Sequence, residues 1–317
     1  MILTVTLNAS IDKRYVVENY QVGEVNRVLE CSYTAGGKGL NVSKNAVIAG
    51  AEVAAAGYAG GHAGEYITEQ IRLLGIRDEF VRVKGESRSC INIYDTVRNT
   101  QTEFLEPGMT VNREAEEALL ERYGRLLKEC SVAAVSGSIP KGSSPDIYQK
   151  LTAAARACGR PIILDTSGSL LGRVVDAARE EKPTMIKPNI DEIRMLKGLS
   201  RTDEMSLDDL RAAAEELYEG GIEVVVISLG KDGSLMVCKE GCFRAEVPKV
   251  PAVNTVGCGD SMIAGFAAGM ERGLSMEETL RLAGAISAAN AMREETGFFV
   301  KEDMEKLYPE IRISRLT

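Results

Sequence analysis

A single histidine, His62, stands in 317 residues, and its setting, Gly60-Gly61-His62-Ala63-Gly64, reads as a loop. Imidazole triads and His-dependent acid–base chemistry are therefore not expected. Metal-ligand spacing is equally scarce. The seven cysteines (31, 90, 130, 158, 238, 242 and 258) include no Cys-x-x-Cys. Cys238 and Cys242 alone, with one distant histidine, do not make a zinc site. Odd in number and scattered, the cysteines read as reduced thiols of a cytoplasmic protein. No apolar stretch approaches the roughly 18 residues that a membrane span needs. Residues 1–7 read as a strand, without the basic start or small-residue cleavage site of an export signal. A long basic run is also missing. With 38 basic against 46 acidic residues and a net charge of −8, neither nucleic acid nor a membrane is an expected partner. A few local cations and backbone N–H groups can still bind an anionic small molecule.

What is present is globular: 44% hydrophobic and 26% charged residues exclude disorder and fibrous chains. Apolar, β-branched runs at 2–7, 53–58, 132–136, 161–165, 184–187 and 223–229 alternate with helical periods at 39–49, 63–74, 113–127, 145–158, 190–197 and 207–218. This is the rhythm of an α/β fold, a mostly parallel central sheet with helices on both faces. The runs end in Ser, Gly, Asp or Lys-Pro, so polar groups collect at the carboxyl edge, where such sheets bind ligands. Residues 12–34 and 80–105 break the rhythm with short alternating runs and no helix, which predicts a small antiparallel β lid. Its apolar face would need a cover, and a homodimer formed through the lid is the expected one. The C-terminal third reads as helical, at 259–272 and 276–292. No repeat, low-complexity tract or proline-rich linker divides the chain, so 1–317 is read as a single domain carrying the lid.

Two glycine clusters carry the chemistry. Ala35-Gly36-Gly37-Lys38-Gly39-Leu40-Asn41-Val42-Ser43 runs straight into a helix, so its N–H groups and Lys38 can meet an anion. It is not a Walker A loop, since Gly39 follows Lys38, and it lacks the dinucleotide fingerprint. Alone, it is equally a tight turn before a helix. Asn254-Thr255-Val256-Gly257-Cys258-Gly259-Asp260-Ser261 puts an acid in the first turn of an apolar helix behind a loop of potential N–H donors. That pair suits a general base beside an anion hole; alone, Asp260 is equally a helix-capping residue.

Together, in order and spacing, the two clusters resemble the two sequence patterns of the ribokinase-like sugar kinases of the phosphofructokinase-B family. The resemblance extends along the chain through Thr6-Leu7-Asn8-Ala9-Ser10-Ile11-Asp12, Ser136-Gly137-Ser138-Ile139-Pro140, Lys187-Pro188-Asn189-Ile190-Asp191-Glu192 and Ser228-Leu229-Gly230-Lys231-Asp232-Gly233. It implies a three-layer α/β/α fold and transfer of the γ-phosphoryl group of ATP, with Mg²⁺. Asp260 would be the base, and Gly257, Cys258 and Gly259 the anion hole. Asp12, Arg27, Gly37, Lys38, Asn41, Arg88 and Ser138 would bind the acceptor. Lys187, Asn189, Ser228, Gly230, Gly233 and Asn290 would line ATP, with Asn189 and Glu192 meeting the metal through water.

The cations Arg27, Lys38 and Arg88 suit an acceptor that is already phosphorylated. Within the family, Ala35 in the first glycine loop and the stretches 85–91, 101–106 and 294–297 resemble tagatose-6-phosphate kinases more than 1-phosphofructokinases. The implied reaction is tagatose-6-phosphate to the 1,6-bisphosphate, with fructose-1-phosphate as the alternative acceptor. Two positions depart from the pattern: Ala9 replaces a usual proline, and Cys258 a small residue, which suggests sensitivity to thiol oxidants. Two other classes remain open at this point. A non-catalytic sugar-phosphate sensor would have no need of Asp260, Asn189 and Glu192, and an NAD-dependent dehydrogenase would lack its fingerprint.

Overall fold

In the computed structural model, which describes residues 1–316, the apolar runs become the strands of a ten-stranded sheet. Strand β1 (Ile2–Thr6) is buried throughout. The chain leaves the body as β2 (Ser10–Val17) and β3 (Val28–Gly36), then returns through helix α1 (Lys38–Ile48), β4 (Val53–Gly60), α2 (Gly61–Leu73) and β5 (Arg77–Val83). A second excursion, β6 (Arg88–Asp95) and β7 (Thr100–Leu105), precedes α3 (Arg113–Leu126), β8 (Val132–Ser136), α4 (Ile147–Ala157), β9 (Ile162–Asp165) and α5 (Gly168–Val175). After β10 (Met185–Ile186) come α6 (Ile190–Leu196), α7 (Leu207–Glu219), β11 (Val224–Ser228), β12 (Ser234–Cys238) and β13 (Gly241–Glu246). Helices α8 (Cys258–Glu271), α9 (Met276–Ala291) and α10 (Lys301–Leu307) and strand β14 (Arg312–Leu316) follow.

The sheet order is β14-β13-β12-β11-β10-β9-β8-β1-β4-β5. From β11 to β5 all neighbours are parallel, while β12, β13 and β14 add on antiparallel. Successive strand residues face opposite ways, so Val53, Ala55 and Ala59 of β4 join the core under α1, α2, α8 and α9. Ala54, Ala56 and Tyr58 join the core under α3 and α4. Helices α5, α6 and α7 cover the same side further along, through Leu171, Ile193 and Leu210. The three-layer α/β/α architecture is the expected one. The C-terminal third is less purely helical than its sequence reads. Strands β12, β13 and β14 have only five or six residues each, too few for their alternation to stand out beside α8 and α9. Their hairpin also settles the Cys238/Cys242 question: the two side chains lie in cores on opposite faces of the sheet.

The lid is a separate four-stranded sheet of order β3-β2-β6-β7. Its two antiparallel hairpins meet along a parallel pair, β2 with β6. Residues 80–83, expected in the lid, instead belong to β5 at the edge of the large sheet, where Phe80 and Val81 pack in the two cores. At the lid's far end the buried carboxylate of Asp95 accepts N–H bonds from Asn19, Tyr20, Val97 and Arg98 at 2.9–3.2 Å. One side chain thus ties both lid connections together. Among the described residues, no helix is long and apolar enough to cross a membrane.

Candidate active site

Helices α1 and α8 start at glycine loops and pack side by side, which brings residues far apart in sequence together. Asn41 Nδ2 donates to Asp260 Oδ2 at 2.8 Å, and one turn on Asn45 Nδ2 donates to Ser261 Oγ at 2.8 Å. Asp260 is 6% exposed. Its pKa is pushed up to about 6, chiefly by burial, with Lys38 opposing and Asp165 adding to the rise. Gly257, the residue before α8, has φ +85°, and a Cβ there would meet Gly297 N and Thr296 Cγ2 at 2.9 Å. Only glycine lets the loop turn its N–H groups over the helix end.

Asp165, at the end of β9, organises the cations. Its buried carboxylate holds Lys38 Nζ at 3.1 Å and Lys187 Nζ at 3.7 Å. Burial pushes the Asp165 carboxyl up, but the two ammoniums outweigh it and hold it below the ordinary range. The same contact raises Lys38. Lys187 also lies against Gly259, where a Cβ would sit 3.2 Å from Nζ. The 257–259 loop, two lysines and Asp260 therefore surround one small space.

A second group of polar residues, among them those expected at the acceptor, lies under the lid. Asp12 receives the Ser10 hydroxyl at 2.7 Å, and its carboxyl is raised by burial against the pull of Ser10, Lys44 and Arg88. Gly36 passes so close that a Cβ would stand 2.0 Å from the Asp12 carboxyl carbon. Arg88 donates to the carbonyls of Asn8 (3.1 Å) and Glu106 (3.2 Å), and Asn8 Nδ2 donates to Ser138 Oγ at 3.3 Å. Between lid and body lies a cavity of about 470 Å³, lined among others by Asp12, Arg14, Thr34, Asn92, Glu103 and Asn254. Thr6 Oγ1, Asn8 Oδ1, Asn41 Oδ1 and Ser136 Oγ are buried without a hydrogen-bond partner.

On the other side, Ser228 N donates to Pro188 O at 3.0 Å, which joins the loop after β10 to the turn holding Gly230 and Gly233. Asn189 caps α6: its Oδ1 accepts from Glu192 N (2.9 Å) while Glu192 Oε2 accepts from Asn189 N (2.8 Å). Burial raises the Glu192 carboxyl. Among the described residues no three His, Cys, Asp or Glu side chains cluster as a metal cage.

Three sequence expectations are relocated. Asn290 is fully buried, so it has no surface to offer a nucleotide base; its amide reaches Val256 O (3.4 Å) and Cys258 Sγ (3.5 Å) and braces the loop from behind. Arg27 is exposed in the connection at the lid's far end, beyond the last residue of β2 and so about 17 Å or more along that strand from Asp12, and is not brought to the other cations of its own chain. Cys258 is turned toward Asn290, and burial raises its thiol, which lowers rather than raises its reactivity. Asp165, Asn8 and Lys44 join the site unannounced. Asp165 was findable as the polar residue ending the strand Ile162-Ile163-Leu164; nothing marked Lys44 apart from other helix lysines.

The model of the pfkB family of carbohydrate kinases matches residues 5–303. The chain belongs to this family. A tagatose-6-phosphate kinase of Staphylococcus epidermidis is 38% identical over 313 residues, 99% of each chain. Phosphofructokinase-2 of Escherichia coli, solved with substrates and products, superposes with a TM-score of 0.88 at 27% identity, covering 98% of each chain. A "possible 1-phosphofructokinase" of Thermotoga maritima gives 0.87 at 28% over the full length of both. As a pfkB carbohydrate kinase the protein is a phosphotransferase with ATP as co-substrate, which removes the sensor and dehydrogenase readings.

Proposed function

We propose that the protein transfers the γ-phosphoryl group of ATP to the C1 hydroxyl of tagatose-6-phosphate, giving tagatose-1,6-bisphosphate and ADP. The observation that carries this reading is the buried Asp260, hydrogen-bonded to Asn41 and set behind the 257–259 loop. The acceptor hydroxyl loses its proton to the Asp260 carboxylate as its oxygen attacks phosphorus and the bond to the β-phosphate oxygen breaks. N–H groups of Gly257, Cys258 and Gly259, with Lys38 and Lys187, meet charge on the equatorial oxygens. Asp12 and Asn41 orient the sugar, and Gly37 lets the α1 loop approach it. Arg88 and Ser138, which meet around Asn8, suit the phosphate already present, while Lys38, held by Asp165, faces the transfer end. Lys187, Asn189, Ser228, Gly230 and Gly233 line the nucleotide.

Magnesium fits Asn189 and Glu192: the capping bonds leave Glu192 Oε1 free, and the raised carboxyl is one that a nearby cation would relieve. Mg²⁺ keeps most of its waters and uses one or two carboxylates plus phosphates, and when bound it neutralises the phosphate oxygens. Homodimerisation through the lid is part of the reading, supported by Val28, Leu29, Tyr33 and Phe104, all exposed on the lid strands.

The test is a comparison of kcat/KM with Mg-ATP for tagatose-6-phosphate, fructose-1-phosphate, fructose-6-phosphate and fructose. Tagatose-6-phosphate should lead. A preference for fructose-1-phosphate, the reading favoured by the Thermotoga maritima neighbour, would keep the site and change the substrate. The pH profile is a second test. Asp260 is inactive when protonated, so kcat/KM should fall about tenfold per unit below the pKa near 6. An acid limb near 4 would remove Asp260 from the base role.

A further inference from the structure

Lys44, on the second turn of α1, is 7% exposed, yet no carboxylate lies within salt-bridge distance among the described residues. Its Nζ instead donates to the backbone carbonyl of Thr296 at 3.1 Å. Buried, unpaired ammonium groups are costly, and an apolar side chain of similar length would serve stability better. Two observations say what the charge is for. First, segment 294–297 is the floor of the anion-hole loop. Gly297 and Thr296 touch Gly257, and Asn254 ties the segment to the loop through Glu294 O (2.9 Å) and Val256 N (3.0 Å). Gly297 also lies against Asn41, the partner of Asp260. Secondly, burial lowers the pKa of the ammonium, and the charges that help it keep its proton are those of Asp12, Glu295 and Asp260, two of them central to the transfer.

We infer that Lys44 is a positioning residue of the transfer site: its ammonium pins segment 294–297 beneath the 257–259 loop and supplies positive charge behind Asp12 and Asp260. The inference rests on the kinase reading above. The charged and titratable groups facing Asp260 are Lys38 and Lys44 from α1, Asp165 from β9, Lys187 after β10 and Cys258 on α8, with Asp12 and Glu295 beyond Lys44. Removing Lys44 takes away one of three cations while three acids, Asp12, Asp165 and Glu295, remain. The Asp260 carboxylate then loses support, and its proton is held to higher pH.

The experiment compares Lys44→Met with Lys44→Arg in the full chain. Lys44→Met should lower kcat about 100-fold, the size of effect that a misplaced transfer site produces. KM for the sugar phosphate should change far less, and the acid limb of kcat/KM should move upward. Lys44→Arg, which keeps the charge and a donor, should restore most of kcat and return the acid limb toward its original position. A Lys44→Met enzyme with unchanged kcat and acid limb overturns the inference, as does an Arg variant no better than Met. Should Lys44→Met not fold, Lys44→Gln replaces it under the same criteria. If the unaltered protein turns over no ketohexose phosphate, the kinase reading has failed by itself. Amide hydrogen exchange then tests Lys44 independently: exchange at 256–259 and 294–297 should quicken in Lys44→Met, and unchanged exchange overturns the positioning role.

Discussion

Asp260→Asn is expected to cost about 10²–10⁴-fold in kcat, the range for loss of a general base, while making the protein more stable at neutral pH. The two effects have one cause. The Asp260 carboxyl is raised from its ordinary 3.8 to about 6 because burial penalises the charged form. A raised carboxyl contributes stability below the unfolded value and loses it as pH rises through the folded value. Between about pH 4 and 6 the wild type therefore gives up as much as ~3 kcal/mol, two units at about 1.4 kcal/mol each. An asparagine has no charge to bury and still accepts the Asn41 hydrogen bond with its Oδ1. Thermal unfolding should show the variant with the higher Tm at pH 7 and no advantage below pH 4. A variant that is inactive and also less stable at pH 7 would mean that Asp260 holds the fold together rather than the chemistry.

Asp165→Asn should be the most damaging change outside the base itself. The carboxylate is buried between Lys38 and Lys187. Lys38 is partly exposed and can turn to water, but Lys187 is 6% exposed and cannot. Leaving that charge unpaired should destabilise by about 3 kcal/mol or more. The loss should be full at neutral pH and fade in acid, because a depressed carboxyl contributes stability above its unfolded value and loses it as pH falls through the folded one. Catalysis should report the same event with the opposite sign. Asp165 raises Asp260, so its removal should shift the acid limb of kcat/KM downward, against the upward shift expected for Lys44→Met. Chemical denaturation and a pH–rate profile measure the two consequences separately. An unchanged midpoint would show that the lysines do not depend on this carboxylate.

Much of this architecture was legible. The parallel strands are continuous apolar runs, and β4, Val53-Ala54-Ala55-Ala56-Gly57-Tyr58-Ala59-Gly60, needs both faces covered. The two glycine loops announce helix starts where backbone must approach something closely, and both do flank Asp260. Legibility failed where a residue's meaning comes from a distant partner. Asp165 looks like any strand-end acid until two lysines arrive from positions 38 and 187. Asn290 carries an amide that suits a ligand, yet the packing of α9 on α8 leaves it no exposure. Lys44 sits in a helix of ordinary sequence, and only the return of segment 294–297 over α1 turns it from a surface cation into a buried one. In the lid, the boundary at 80–83 was missed because Phe80-Val81-Arg82-Val83 alternates as an exposed strand would, while Phe80 and Val81 serve cores on opposite faces of the large sheet.

The pairing of Asn41 with Asp260 spans 219 residues, and this has a consequence for how the protein is made. Helix α1 is buried on nearly every side, and α8 is one of the surfaces that covers it. During synthesis, at about 5–20 residues per second, α1 leaves the ribosome some 10–40 s before its cover exists. Throughout that interval the nascent chain carries α1 and its glycine-led loop with Leu40, Val42 and Ala46 uncovered, but neither Asp260 nor the 257–259 loop. Asn41 can meet Asp260 only once α8 has been made, so a chain that stops before it lacks this pairing. Such incomplete chains do display α1, and they should be the forms that chaperones retain.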